Sequence, residues 1–82
     1  MNQSIHFPER ESWDEEQRAV IFPVLVRGAQ FTCAVTAAHL CVQFGEGEAM
    51  ALFNAHRWDL EEGIERLIRR DEIDDQGWIW LC

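Results

Sequence analysis

Lysine is absent from this chain, and all seven basic residues are arginine, set against fifteen acidic residues. The formal net charge is −8, so the protein repels nucleic acid at long range and a nucleic-acid partner is not expected. Arginine offers planar, bidentate donors, which suit specific pairing with carboxylates inside the protein or on a partner. The codon bias of a GC-rich genome is the alternative explanation for the missing lysine.

Long apolar runs, a secretory leader and an even set of cysteines are also missing. The longest apolar run, residues 19–26, is too short to span a membrane and contains Pro23. Residues 1–6 have neither a basic region nor an apolar stretch, so we predict no secretory signal. Three cysteines at irregular spacing favour free thiols in a reducing compartment. These absences predict a cytoplasmic protein without membrane association.

Length and composition indicate a single domain over residues 1–82. A second core would leave each half near the size at which metals or disulfides are usually needed. Hydrophobic residues make up 48% of the chain, which is more than a disordered protein carries. We therefore expect one globular domain.

A β-hairpin is the strongest structural signal. Residues 19–26 are β-branched and aromatic, and residues 30–35 alternate between apolar and small or polar side chains. Arg27 and Gly28 between them form a two-residue turn, because glycine tolerates the positive φ that such a turn requires. Pro23 cannot donate a ladder hydrogen bond, which predicts a sheet edge or a bulge at that position.

Two further strands are predicted near the ends of the chain. Residues 4–7 alternate polar with apolar, and a charged connection follows in which Trp13 folds back onto the domain. Residues 78–81 have the aromatic and β-branched content of a final strand. Trp78 and Trp80 lie two apart, so both indoles share one face, directed either at the helices or at an outside partner.

The segment between the hairpin and the last strand is predicted to be helical. Thr36 is a good N-cap for a helix over residues 37–44, and Gly45 is placed to end it. A second helix starts near Gly47, with the apolar stripe Ala49, Leu52, Phe53 and His56.

A third helix is predicted from Leu60, because Asp59 and Glu62 have the spacing of a capping box. One continuous helix over residues 46–70 is the alternative. The fold class is therefore α+β: a small antiparallel sheet of three or four strands, packed on one face by two or three helices, in the order β-β-β-α-α-α-β.

A set of residues spread along the chain carries a resemblance to a known family. These residues are Ile5-x-Phe7-Pro8, Trp13, Val20 to Phe22, Gly28, Cys33, Thr36 to Leu40, Phe53, Arg57 and Gly77-Trp78-Ile79-Trp80-Leu81. Through them the chain resembles a family of small bacterial proteins known as domain of unknown function 1488. The resemblance covers nearly the whole chain and implies an α+β fold in the bacterial cytoplasm, with no activity, cofactor or catalytic residue to carry over. Relatives labelled as transcriptional regulators of the shikimate pathway imply a DNA-contacting regulator as an alternative.

Thiol and metal chemistry have weak candidates. Cys33, His39 and Cys41 could meet at a strand-to-helix junction, but their spacing does not match a zinc site, and buried structural thiols are the simpler interpretation. A cysteine nucleophile would need His39 or His56 as its base and Asp59 as the orienting group, and nothing in the sequence fixes that geometry. His56 on an apolar stripe is a core-edge residue or, alternatively, a pH switch.

Two charged clusters are also interpreted structurally. Residues 71–77 resemble a calcium loop, but the ligand register fails, so a solvated acidic turn is predicted. The second cluster is a basic and aromatic group consisting of Arg57, Trp58, Arg66, Arg69 and Arg70. Ion pairs between these arginines and acidic residues on the same helix are favoured over binding of phosphate or nucleic acid.

We predict no catalytic, cofactor-binding or metal site and no cofactor. The favoured function is a small non-enzymatic interaction or regulatory module that forms a homodimer through a sheet edge or the tryptophan strand, or binds an unknown protein partner. The alternatives are a transcriptional regulator that contacts DNA and, third, a thiol or metal-dependent enzyme.

Overall fold

A computed structural model of the chain describes residues 4–82, which form one sheet and three helices. Residues 1–3, part of the N-terminal stretch considered for a secretory signal, lie outside the described residues. The elements in chain order are β1 (Ile5–His6), β2 (Ser12–Asp14), β3 (Ala19–Val26), β4 (Ala29–Thr36), α1 (Ala37–Phe44), α2 (Ala49–Ala55), α3 (Arg57–Arg69) and β5 (Trp78–Leu81).

The α+β class is confirmed, but the sheet differs from the prediction in two respects. It is mixed rather than antiparallel, because β5 returns beside β4 and parallel to it after the chain has passed through the three helices. It has five strands rather than three or four, in the order β1-β3-β4-β5 with β2 also paired to β3. β2 was missed because its three residues lie in a charged segment and are too few to show an alternating pattern.

The predicted hairpin of β3 and β4 is confirmed. Val26 pairs with Ala29 across the turn, and Arg27 and Gly28 have φ values of 53° and 86°. Positive φ at both central residues defines a type I′ turn, whose twist matches that of the flanking strands.

Pro23 lies at an open stretch of sheet edge, as predicted. β1 pairs with β3 at Val26 and Leu25, and β2 pairs with it at residues 19–21. Residues 22–24 therefore have no partner on that side among the described residues. The N–H of Thr32, opposite Pro23, donates to Gly77 O on the β5 side at 3.0 Å. Pro23 and Thr32 are therefore a non-hydrogen-bonded pair. The backbone nitrogen of Pro23, which carries no hydrogen, faces the open stretch, where no partner needs a donor.

Both predicted ends of α1 are confirmed. The Thr36 hydroxyl accepts a hydrogen bond from the His39 N–H at 3.1 Å, which satisfies one of the free donors of the first turn. Gly45, at φ 93°, donates its N–H to Cys41 O at 2.9 Å. Glycine suits this position because a side chain would be strained at such a φ.

Two helices, rather than one continuous helix, follow α1. The Glu48 carboxylate accepts from the Ala51 N–H at 3.0 Å and starts α2. At His56 the backbone leaves helical geometry (φ −121°, ψ 27°), and α3 begins at Arg57. The predicted start at Leu60 is three residues late, because Asp59 lies inside the first turn rather than at the cap. Among the described residues, no helix is long and apolar enough to cross a membrane.

The core lies between the three helices and one face of the sheet. Alternate residues of β3 point toward the helices, and the ring of Phe22 packs against that of Phe53 with centroids 5.0 Å apart. A side chain at Gly63 would contact Leu81 at 3.2 Å, so glycine lets α3 approach β5 closely. The buried cluster consists of Val20, Phe22, Val24, Cys33, Val35, Leu40, Phe53, Leu60, Ile64 and Ile79.

Candidate functional site

The face of the sheet opposite the helices carries an apolar surface that no described helix covers. Strand side chains alternate between faces, so Ile21, Pro23 and Leu25 point away from the core residues that alternate with them. The strand register continues this surface across β4 to the two tryptophans of β5. The open sheet face consists of Ile21, Pro23, Leu25, Thr32, Ala34, Trp78 and Trp80.

Trp78 and Trp80 stack on each other on the open sheet face. Their ring centroids are 5.3 Å apart and the planes make an angle of 22°. The prediction that they share one face is confirmed, and the face is the outer one. Neither indole belongs to the buried cluster of the described residues, and both remain partly exposed. The pair therefore presents a large aromatic surface that would gain free energy from being covered.

The other two tryptophans have separate environments. Trp13 packs partly against the core, as predicted, and its indole N–H donates to Glu15 Oε1 at 2.8 Å. Trp58, on α3, is 79% exposed on the helical side of the molecule. Of the four indoles, only that of Trp13 packs against the core cluster.

Small side chains form a trough between larger side chains on the open sheet face. Ala34 and Thr32 lie on β4 between the tryptophans of β5 and Ile21 and Pro23 of β3. Ala34 has no exposed surface although no described helix covers it, so the larger neighbours on both sides enclose it. A shallow cavity of about 410 Å³ opens beside Pro23 and continues this trough toward Arg10. The open sheet face is therefore uneven, with a trough into which side chains of another protein surface can fit.

Asp74 caps the outer edge of β5. Its Oδ1 accepts from the Trp78 N–H at 2.8 Å, and its own N–H donates to Trp78 O at 2.9 Å. Oδ2 accepts from the Trp80 indole N–H at 3.3 Å. The backbone N–H of Trp78 is the main cause of a lowered Asp74 pKa, since these hydrogen bonds favour the carboxylate. Asp74 thus occupies the edge groups that a further strand would need at Trp78.

The rest of the acidic segment agrees with a turn. The Gln76 N–H also donates to Asp74 Oδ1, at 2.9 Å, and Gly77 closes the turn at φ 82°. Among residues 4–82, no group of three or more His, Cys, Asp or Glu side chains could hold a metal ion. The calcium-loop and zinc alternatives therefore have no assembled ligand set in the described part of the chain.

Arg57 forms the centre of a half-buried ion cluster. Its Nη1 donates to Glu11 Oε1 at 2.8 Å and its Nε to Glu61 Oε2 at 2.9 Å. The guanidinium carbon also lies 5.4 Å from the centroid of the Phe53 ring. Burial opposes the charge on Arg57, but the two carboxylates outweigh it and raise the arginine pKa, while the hydrogen bond from Arg57 lowers the Glu11 pKa. The cluster ties the start of β2 to the start of α3.

The basic and aromatic group of α3 is not assembled as one surface. Arg57 points inward to its two carboxylates, with 20% of its side chain exposed. Arg69 is exposed and pairs with Glu65 at 3.2 Å, as the i, i+4 spacing predicted. Trp58 lies at the opposite end of the helix from Arg69 and Arg70. The described geometry does not bring these side chains together into a site for nucleic acid.

Among residues 4–82 no hydrogen bond joins a cysteine to a histidine, although His39 and Asp59 line one pocket. Cys33 is fully buried in the core, and burial raises its thiol pKa far above the ordinary value, which makes it a poor nucleophile. Cys41 is exposed on α1. The His56 ring lies flat on that of Phe44, with centroids 3.8 Å apart. His56 therefore occupies a core-edge position, which is the simpler of its two sequence interpretations.

Sequence reasoning did not identify the roles of Asp74 and Glu11. Asp74, three residues before a glycine and shortly before an apolar strand, has the spacing of a side-chain-capped turn, and that signal was available. The pairing of Glu11 with Arg57 joins residues 46 apart in the chain, and no local pattern indicates it.

Comparisons with known proteins agree with the resemblance stated from the sequence. The chain is 51% identical to the uncharacterized protein YrdB of Escherichia coli (strain K12), over 99% of each chain, and 49% identical to YrdB of Shigella flexneri over the same shares. It is similar to a crystal structure, at 1.60 Å resolution, of a protein of unknown function from Shewanella loihica PV-4, with 34% sequence identity and a TM-score of 0.91. That match covers 99% of this chain and 94% of the other. The family model of proteins of unknown function, DUF1488, matches residues 5–81, and the chain belongs to this family.

Proposed function

We propose that this protein is a non-enzymatic interaction module of the bacterial cytoplasm that self-associates reversibly through the open sheet face. The observation that supports it best is the stacked pair of Trp78 and Trp80, which stands partly exposed on an apolar face that no described helix covers. Exposed aromatic surface of this kind is typical of protein-protein contacts.

The relief of the face favours a second copy as its occupant. Two sheets pack face to face about 10 Å apart, with side chains of one inserted between those of the other. On this face a ridge formed by Trp78 and Trp80 runs beside a trough of small residues, Thr32 and Ala34. In a two-fold dimer each ridge can enter the trough of the partner, so a single surface supplies both complementary halves.

The size of the face sets the expected affinity. The face spans β3 and β4, which are eight residues long, and β5, which is four residues long. With strands about 4.8 Å apart and a rise of about 3.3 Å per residue, it covers on the order of 300 Å² per copy. Two copies would bury roughly 600 Å², which is below the size of most specific interfaces and typical of a weak, transient contact. Each copy also carries a net charge of −8, which opposes association. We therefore expect a weak dimer, with a dissociation constant in roughly the micromolar range or above.

Sedimentation velocity over a concentration series tests the proposal, with tryptophan variants as matched probes. We expect the native chain to shift from monomer to dimer with concentration, and Trp80→Ala to weaken the dimer at least about tenfold. Trp58→Ala removes an equally large indole from the helical side, where the side chain is 79% exposed, and should leave the dimer unchanged. A native chain that stays monomeric at about millimolar concentration, or equal effects of the two variants, would refute self-association through this face.

The dependence of binding on ionic strength distinguishes a second copy of this chain from a basic protein or DNA as the partner of the open sheet face. Salt screens the repulsion between two acidic copies, so the dimer should strengthen between about 50 and 500 mM salt. A complex with a basic protein would weaken over the same range, and so would a complex with DNA. If duplex DNA does not bind at low salt, the alternative of a transcriptional regulator that contacts DNA is excluded.

A further inference from the structure

The hairpin end of the molecule contains a cavity away from the open sheet face. About 730 Å³ of space lies between the tip of the β3–β4 hairpin and the end of α3. Ala29 at the tip of the hairpin lines this space and is small and exposed, which leaves the space unfilled. Its volume is within the range of small-molecule sites, roughly 300–1,000 Å³.

The walls of the cavity are mainly apolar. Val26 and Phe31 line it from the core face of the hairpin, Ile68 from α3, Ile73 from the following loop and Ile5 from β1. All five remain partly exposed although they pack against the core cluster. A ligand with an apolar body would cover surface that the protein itself leaves in contact with water.

Arg27 gives the mouth of the cavity a positive charge. Arg69 and Asp71 also lie on the rim, and Arg69 is paired with Glu65 at 3.2 Å. Arg27 forms no ion pair among residues 4–82, so its guanidinium is available to an anion. Two guanidinium groups thus flank one opening of a molecule whose net charge is −8.

The backbone at Arg27 is a second, independent observation. Its φ is 53°, and the first central position of a type I′ turn is usually Asn, Asp or Gly because other side chains are strained there. Strain of this kind persists where the surrounding structure holds the residue in place, and strained residues cluster at ligand-binding and active sites.

From these observations we propose that the cavity binds a small amphipathic carboxylate, with its apolar body against Phe31 and Ile73 and its carboxylate on the Arg27 guanidinium. Planar guanidinium groups bind carboxylates with two parallel hydrogen bonds, which fixes the orientation of the ligand. This site is independent of self-association, since it lies on the helical side of the sheet and shares no residue with the open sheet face.

Titration with decanoate, below the concentration at which it forms micelles, tests the site by ¹H–¹⁵N NMR and calorimetry. Decanamide has the same chain without the charge and serves as the matched ligand. We expect decanoate to shift the backbone signals of residues 26–31 and 68–73 and to bind about tenfold or more tightly than decanamide. Equal affinity for the two ligands, no binding, or shifts centred on Trp78 and Trp80 would overturn the proposal.

Three substitutions sharpen the test. Arg27→Asn removes the charge but places a residue that the turn favours, so the variant folds, and we expect decanoate to lose about tenfold in affinity while decanamide loses little. Ala29→Trp fills the cavity from an exposed position and should abolish binding of both ligands. Asp71→Asn removes the acid from the rim and should strengthen decanoate binding alone. Unchanged decanoate binding in either Arg27→Asn or Ala29→Trp would contradict the assignment.

Discussion

Replacing Arg57 by methionine tests whether the ion cluster at the start of α3 holds two parts of the fold together. Methionine keeps most of the length and apolar volume of the arginine side chain but removes its charge and its five donors. Glu11 and Glu61 would then face each other without the cation that bridges them, and Phe53 would lose the guanidinium above its ring. The perturbation thus isolates the polar part of the cluster.

The expected magnitude follows from the exposure of the three side chains. Removing one partner from a fully buried pair costs about 3–5 kcal/mol. Here 20% of Arg57, 19% of Glu11 and 25% of Glu61 remain exposed, so water can partly solvate the two carboxylates that are left. We expect Arg57→Met to lower the free energy of unfolding by about 2–3 kcal/mol. For a domain of this size that corresponds to a decrease in Tm of about 10–20 °C.

Urea denaturation at neutral pH, followed by circular dichroism, measures the change. Arg69→Met is the control, because Arg69 forms a similar pair with Glu65 at an exposed position and should cost less than about 0.5 kcal/mol. Adding Glu11→Gln and Glu61→Gln to Arg57→Met should restore at least about 1 kcal/mol by removing the uncompensated charges. An Arg57→Met variant within about 0.5 kcal/mol of the native chain would refute the structural role of the cluster.

The contribution of Glu11 also depends on pH. Its pKa is lowered from 4.5 in the folded protein, mainly by the hydrogen bond from Arg57. A carboxyl group whose pKa is lowered by folding stabilises the folded protein at any pH above its pKa in the unfolded state. This stabilisation is lost as the pH falls through the pKa of the folded state. The difference in stability between the native chain and Glu11→Gln should therefore be constant above about pH 6 and decrease below pH 4.5.

Three further predictions concern the edge strand, the thiols and the helix junction. Asp74→Ala should expose the backbone N–H of Trp78 at the sheet edge and increase concentration-dependent aggregation in light scattering. The native chain should approach that behaviour as acid protonates Asp74, whose pKa is lowered from the ordinary value of 3.8. A thiol reagent should label Cys41 and Cys82 in the native protein and Cys33 only after unfolding, and rapid labelling of all three would contradict the buried position of Cys33. His56→Ala should lower the free energy of unfolding by about 0.5–1.5 kcal/mol through loss of the ring stack on Phe44, measured by thermal denaturation, whereas no change would mean that the stack contributes nothing.

The elements that sequence predicted well are those whose cause is local. The hairpin follows from two β-rich segments that flank a glycine at positive φ, and α1 follows from a threonine and a glycine at its two ends. Pro23 could be placed at an open edge because its missing donor is a property of the residue itself. In each case the physical constraint acts within a few residues, so one sequence is enough to detect it.

The features that sequence did not predict depend on contacts between distant segments. β2 is three residues long and exists because it pairs with β3. The parallel pairing of β5 depends on where three helices return the chain, and the contact of Glu11 with Arg57 joins residues 46 apart. Likewise, the strand pattern of residues 78–81 showed that both tryptophans share a face, but only the packing of the helices on the other side decided which face it is.

Two stretches of sheet edge are protected, and this affects how the protein can associate. Beside β3 the open stretch carries Pro23, whose missing donor prevents an added strand from completing a ladder there. At β5 the Asp74 carboxylate and backbone already bind both edge groups of Trp78. Association through either stretch is therefore hindered, and of the two routes expected from the sequence, a sheet edge or the tryptophan strand, our proposal takes the second, contact through the open sheet face. A short, capped edge also limits open-ended assembly, and pairing face to face is self-limiting because a two-fold contact uses the whole surface once. Association by this protein should therefore end at the dimer.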